Sequence, residues 1–179
     1  GNSWEKGITR NQGDTFSVIT KNTFYNPKNY NEINNPSGYD SIRDDNIFSD
    51  KYNQLHPGEK TNETNPDKKP KEQSMVINYS LSPITGIGNT SKKLTRENKQ
   101  DYRYYEKLCF FIRKVASHNA NVSMYFRFGS DEKNYFQYLF SINNKEWNLK
   151  EADLIACNTS GLDTTSTYSK TGIPELGNI

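Results

Sequence analysis

From Asn121 to Gly129 apolar and polar side chains alternate, and the polar phase carries the groups best equipped to bind something. Tyr125 and Arg127 project from the face opposite Val122, Met124, Phe126 and Phe128. On the return strand Tyr135 and Phe136 point to opposite sides, and Trp147 follows shortly after. Aromatic rings on the outside of a sheet can stack on sugars or anchor a protein partner. Tyr125, Arg127, Tyr135 and Trp147 are therefore the candidate contacts for a partner or a glycan. The plainer alternative is that a neighbouring sheet or loop covers them.

Other residue sets lack the spacing that reactive chemistry needs. Gly86-Ile87-Gly88 has neither the third glycine nor the following helix of a phosphate-binding loop and reads as a turn. His56 and His118 lie far apart and outside any nucleophile motif, which argues against a Ser-His-Asp triad and against a Cys/His zinc site. Asp40-Ser41-Ile42-Arg43-Asp44-Asp45-Asn46 offers oxygen ligands without EF-hand spacing and reads as a solvated loop. Asp131 and Glu132 fall in a loop between strands, where solvated carboxylates are ordinary. Lys68, Lys69 and Lys71 beside Pro70 suit a flexible linker. No catalytic residue, metal or cofactor is expected.

Cys109 and Cys157, if bonded, would close a loop of about 49 residues, a cross-link worth about 4 kcal/mol in the loop-entropy model. The alternative is that Cys109, inside an apolar run, packs as a small hydrophobe. Asn-x-Ser/Thr sequons occur at Asn62, Asn78, Asn89, Asn121 and Asn158, most of them as chance supplies in so Asn-rich a chain.

These residues need elements to hold them. The chain of 179 residues is 32% hydrophobic but 13% aromatic, so Tyr and Phe must build much of any core. Its formal net charge of +2 is too balanced for a dedicated nucleic-acid or membrane-surface protein. No run approaches the length of a membrane-spanning helix. The start Gly1-Asn2-Ser3-Trp4 lacks the regions of a signal peptide and reads as that of a processed or excised piece of a larger chain.

Residues 26–72 carry Asn26-Pro27, Asn35-Pro36-Ser37-Gly38, His56-Pro57-Gly58 and Asn65-Pro66-Asp67, and are expected to be one long loop or linker. Residues 1–25 hold a short strand, Thr15-Phe16-Ser17-Val18-Ile19-Thr20, which either pairs with later strands or ends a preceding module. Residues 73–179 are read as the β-domain. Ser74 to Leu81 alternates, Leu108 to Arg113 is a β-rich run, and residues 122–142 form a hairpin. Helical turns are expected in 95–106 and at Leu149 to Leu154. Strands with one apolar face must stack or close. The fold class is mostly β, an antiparallel jelly-roll-like sandwich with long Asn/Pro/Gly-rich loops.

Four stretches in order carry a further likeness. They are Pro57-Gly58 with Glu72-Gln73-Ser74, and Asp101-Tyr102-Arg103-Tyr104-Tyr105-Glu106-Lys107-Leu108 leading into Cys109-Phe110-Phe111-Ile112. The third joins Phe126-Arg127-Phe128-Gly129-Ser130-Asp131 to Asn134-Tyr135-Phe136-Gln137-Tyr138. The fourth is Trp147 with Gly172-Ile173-Pro174-Glu175-Leu176-Gly177-Asn178. Across 55–179 the chain resembles a recurrent segment of the SprA family, the outer-membrane translocon proteins of bacterial type IX secretion and gliding motility. It departs from that pattern at Phe136 and Gln137, where such segments carry Tyr and an acidic residue, and at Asn148, which stands in place of a Pro.

The resemblance implies a non-enzymatic segment in a soluble periplasmic, luminal or extracellular part of an outer-membrane protein. Its partners would be the rest of its own chain, other translocon subunits and secreted cargo, with no nucleic acid and no membrane span of its own. The other reading is a glycan-binding jelly-roll module of a surface or secreted protein.

Overall fold

The computed structural model describes residues 4–23, 47–55, 72–93, 101–114, 122–143, 146–177 and 179. Antiparallel strands dominate them, and the chain forms two compact units, residues 1–95 and 96–179. Among the described residues no helix is long and apolar enough to cross a membrane, which leaves crossing by strands untouched.

In the first unit β1 (Ile8–Thr9) and β2 (Thr15–Thr23) precede α1 (Ser49–Leu55), β3 (Glu72–Ser80) and β4 (Gly88–Asn89). β2 and β3 pair antiparallel, with Phe16 opposite Tyr79 and Val18 opposite Ile77. The early strand thus finds a later partner, and β3, expected to open the C-terminal domain, lies in the N-terminal unit. A two-stranded ribbon cannot bury a face by itself, so Met75 and Tyr79 remain 42% and 40% exposed.

Asp14 closes the end of this ladder, its carboxylate accepting from the Ser82 amide at 2.9 Å and the Ser82 hydroxyl at 2.7 Å. The Phe16 ring lies against Gly88, and the Gly86 amide donates to the Ser82 carbonyl at 2.9 Å, so this glycine pair serves a turn and a packing contact. Within the expected linker, Ser49–Leu55 is helical, with Asp50 in the first turn and Tyr52 buried. The Asp40-to-Asn46 loop, His56, the lysine cluster and His118 lie outside the described residues.

The second unit is built on one hairpin. β6 (Val122–Asp131) and β7 (Asn134–Ile142) pair with Phe126 opposite Tyr138 and Phe128 opposite Phe136, and β9 (Tyr168–Thr171) adds to the far side of β7. β5 (Lys107–Ile112) pairs with β8 (Asn148–Asp153). Phe110 of β5 meets Phe126 at 5.3 Å and Phe140 at 5.5 Å between ring centres, so aromatic rings join this ladder to the apolar face of the hairpin. Phe128 packs in turn, tilted, against Phe136, which is fully buried.

The segment Leu149 to Leu154 is a correction. It is not a helical turn: Asn148–Asp153 is strand, because pairing with β5 and burial of Ala152 on the core side override the helical preference of Leu-Lys-Glu-Ala. Helix α2 (Leu154–Thr159) begins only after it, with Asp153 as N-cap accepting from the Ala156 amide at 2.9 Å. Three residues apart, Leu154 and Cys157 point the same way into the cluster of Phe128, Phe136 and Ile179. Residues 101–106 turn instead of forming a helix, with the Asp101 carboxylate accepting from the Arg103 amide at 3.0 Å.

Cys109 and Cys157 are not joined in a disulfide. Cys109 is half-buried on the outer face of β5, opposite Glu151, while Cys157 is fully buried. Burial, followed by the nearby Asp153, pushes the Cys157 thiol up to about 11.

Phe136→Ala is expected to lower the unfolding free energy by about 3–5 kcal/mol in urea titrations. Tyr104→Ala, at a side chain 85% exposed, should change it by no more than about 0.5 kcal/mol. Cys157 should resist a thiol reagent at about pH 8 until the chain is unfolded, because the thiolate is the reacting species; rapid native-state labelling would contradict its burial.

Candidate functional site

Because strand side chains alternate, the register that buries Phe126, Phe128 and Phe136 sends the next phase to the other face. Arg127 stands opposite Gln137 in the β6–β7 ladder, Tyr125 precedes Arg127 by two residues, and Tyr135 stands opposite Gly129, two residues beyond it. The three sequence candidates on the hairpin therefore meet. The Arg127 guanidinium carbon lies 4.2 Å from the centre of the Tyr125 ring and 4.6 Å from that of Tyr135. Each such contact contributes about 0.5–1 kcal/mol at an exposed site.

Gly129 makes this approach possible. A side chain there would put its Cβ 2.2 Å from the Asn134 carbonyl oxygen and 2.5 Å from the Tyr135 Cα. The register shifts between Gly129 and Asp131, a local irregularity of the kind that re-aims side chains at strand ends.

Arg127 is held from below as well. Its Nε donates to the Gln137 Oε1 at 2.8 Å, and Gln137 is only 2% exposed. The Gln137 amide group donates in turn to the Thr164 carbonyl at 3.1 Å and the Ser169 hydroxyl at 3.3 Å. A buried amide with its partners satisfied is a fixed object, whereas an unsatisfied one would cost about 1–3 kcal/mol. Gln137, Ser169 and Thr164 are the residues of this site that alternation alone does not nominate. Gln137 becomes visible once the hairpin register is known, because it is the residue directly across from Arg127.

The loop supplying Thr164 leaves α2 on the core side and passes β9, where the Lys170 amide donates to the Gly161 carbonyl at 3.0 Å. Asp163 shapes it: its carboxylate accepts from the Thr165 hydroxyl at 2.7 Å, the Thr165 amide at 2.9 Å and the Ser166 hydroxyl at 3.1 Å. Those bonds, the Thr165 hydroxyl foremost, hold Asp163 below the usual carboxylate range.

The hairpin turn is fastened elsewhere. The Asn134 side-chain amide donates to both Asp131 oxygens at 3.0 Å, while its own oxygen accepts from the Ile173 amide at 2.9 Å. Between them Gly172 takes a φ of 67°, which a side chain would strain. The Tyr102 amide donates to the Leu176 carbonyl at 2.7 Å. The stretches near 101, 126–138 and 172–177 that carry the resemblance therefore converge in one unit, whereas Glu72-Gln73-Ser74 opens β3 in the other, and Pro57-Gly58 lies outside the described residues. Trp147 does not join Arg127. It stands just ahead of β8, its ring 5.2 Å from the Arg113 guanidinium.

Among the described residues no group of three or more His, Cys, Asp and Glu side chains is placed to hold a metal ion. The arrangement on β6 and β7 offers an exposed cation held by two rings and a buried amide. Compared with known proteins, the chain matches no family model, no curated protein and no solved structure.

Asp163 sets a pH dependence. Its folded pKa lies below its unfolded value of about 3.9, so its contribution is complete above that value and is lost as the pH falls through the folded one. Asp163→Ala is expected to flatten the decline in melting temperature below about pH 4. An unchanged acid-side slope would contradict the role of this carboxylate in shaping the loop.

Proposed function

We propose that this chain is a non-enzymatic binding and structural segment, and that it works in a soluble part of a bacterial outer-membrane translocon of the SprA kind. The observation that carries the reading is the convergence, in the second unit, of three of the four resembling stretches. Asn134, Gly172-Ile173 and the Tyr102–Leu176 contact fasten them together, and the face they support presents Tyr125, Arg127 and Tyr135. A jelly-roll-like completion of the packed β-ladders belongs to the same proposal. In such a segment the aromatic and cationic face contacts other parts of the parent chain or a neighbouring subunit, where Tyr and Arg are effective anchors.

A glycan-binding module uses the same rings differently, with open ring faces for sugars. Here one face of each of Tyr125 and Tyr135 is turned to Arg127, and Trp147 meets Arg113. That favours the protein-contact reading. Removing residues 122–142 in frame from the full-length protein in its native bacterium is expected to abolish export of secreted proteins into the medium. The altered parent protein should still fractionate with the outer membrane. Normal export with the hairpin absent would overturn the proposal.

A further inference from the structure

Arg127 is fixed but not neutralised. Its Nε is used by Gln137 and two tyrosine rings flank its guanidinium, yet among the described residues no carboxylate pairs with it. The partner beneath it is an amide, so the positive charge stays whole. The terminal amino groups are left for a ligand from solution, and a guanidinium offers a planar pair of donors that matches a carboxylate. Gln137, Tyr125 and Tyr135 limit the motion that such a ligand would otherwise have to arrest.

A second observation concerns the strand that carries Arg127. In the sheet order β6-β7-β9, β6 is the edge, ten residues long and paired with β7 alone among the described residues. Half of an edge strand's backbone amides and carbonyls point away from its single neighbour and can pair with an added strand. A residue of that added strand would then stand directly beside Arg127, within cross-strand reach of its amino groups.

We infer that the β6 edge and Arg127 together receive an extended acidic peptide segment, paired by its backbone and held by one Glu or Asp carboxylate on the Arg127 guanidinium. This deepens the reading of the hairpin face as a protein contact and rests on it. An acidic glycan or a free phosphate would supply the anion without the backbone pairing.

The test uses the whole chain, labelled for NMR, and the capped peptides Thr-Val-Glu-Val-Thr and Thr-Val-Gln-Val-Thr. The glutamate peptide is expected to move the Arg127 Nε–H and the β6 amide signals saturably, and to bind about fivefold more tightly than the glutamine peptide. Arg127→Gln should erase that preference, and Arg127→Lys should reduce it, because an ammonium lacks the planar fork. Gln137→Glu should reduce it as well, by placing a carboxylate on Arg127 from within.

Equal binding of the two peptides by the unaltered chain would overturn the inference whether or not the variants fold. So would a glutamate preference that survives in Arg127→Gln. Inorganic phosphate or a uronic-acid tetrasaccharide shifting Arg127 at lower concentration than the peptide would also overturn it. The export experiment is independent of these titrations, so the peptide site can fail while the translocon reading stands, and the reverse.

Discussion

The pairing register of β6 with β7 is the constraint on which the second unit depends. With Phe128 opposite Phe136 and Arg127 opposite Gln137, one face of the hairpin is aromatic and buried, and the other carries a cation on a buried amide. A slip of one residue would turn one strand's faces over against the other's, exposing Phe136 if β7 turned or driving Arg127 into an apolar core if β6 did. Fold and candidate site are two consequences of one alignment, each penalising the same error.

That alignment is reinforced from both ends of the unit. On the core side, Phe110 from β5 and Leu154 and Cys157 from α2 give the rings of β6 and β7 something to pack on. On the other side, the loop shaped by Asp163 brings a carbonyl to Gln137, and Ser169 of β9 supplies a hydroxyl. The turn is tied to residue 173 through Asn134. These bonds run from buried to exposed positions; a single hydrogen bond contributes only about 0.5–1.5 kcal/mol, and their value is in acting on one register. The first unit has no equivalent among the described residues; its long β2–β3 ladder leaves apolar side chains half exposed.

Much of this was legible in the sequence, and the reasons differ by element. The strict alternation from Val122 to Phe128 announces both a strand and its two faces, so Tyr125 and Arg127 could be assigned to the outer one before any coordinates. Tyr135 follows from the return strand. Leu149 to Leu154 misled, because Leu, Lys, Glu and Ala favour helix locally while the decisive contact is with β5, some 40 residues earlier in the chain. The pairing of β3 with β2 across an intervening stretch is hidden for the same reason: alternation says that a face is apolar, not which strand will cover its edge. Gln137 was conspicuous only as a departure from the resembling pattern, and its role needed the register. Trp147 resembles the tyrosines by type alone, whereas the β5–β8 ladder carries it to Arg113.

The position of the Arg127 side chain tests this account most directly, through the proton NMR shifts of its Cγ and Cδ methylenes in the unaltered chain. Confinement between two tyrosine rings predicts strong upfield ring-current shifts, partly reversed by Tyr125→Leu and partly by Tyr135→Leu. Methylene shifts at random-coil values, unmoved by either substitution, would mean that the guanidinium is not held on this face.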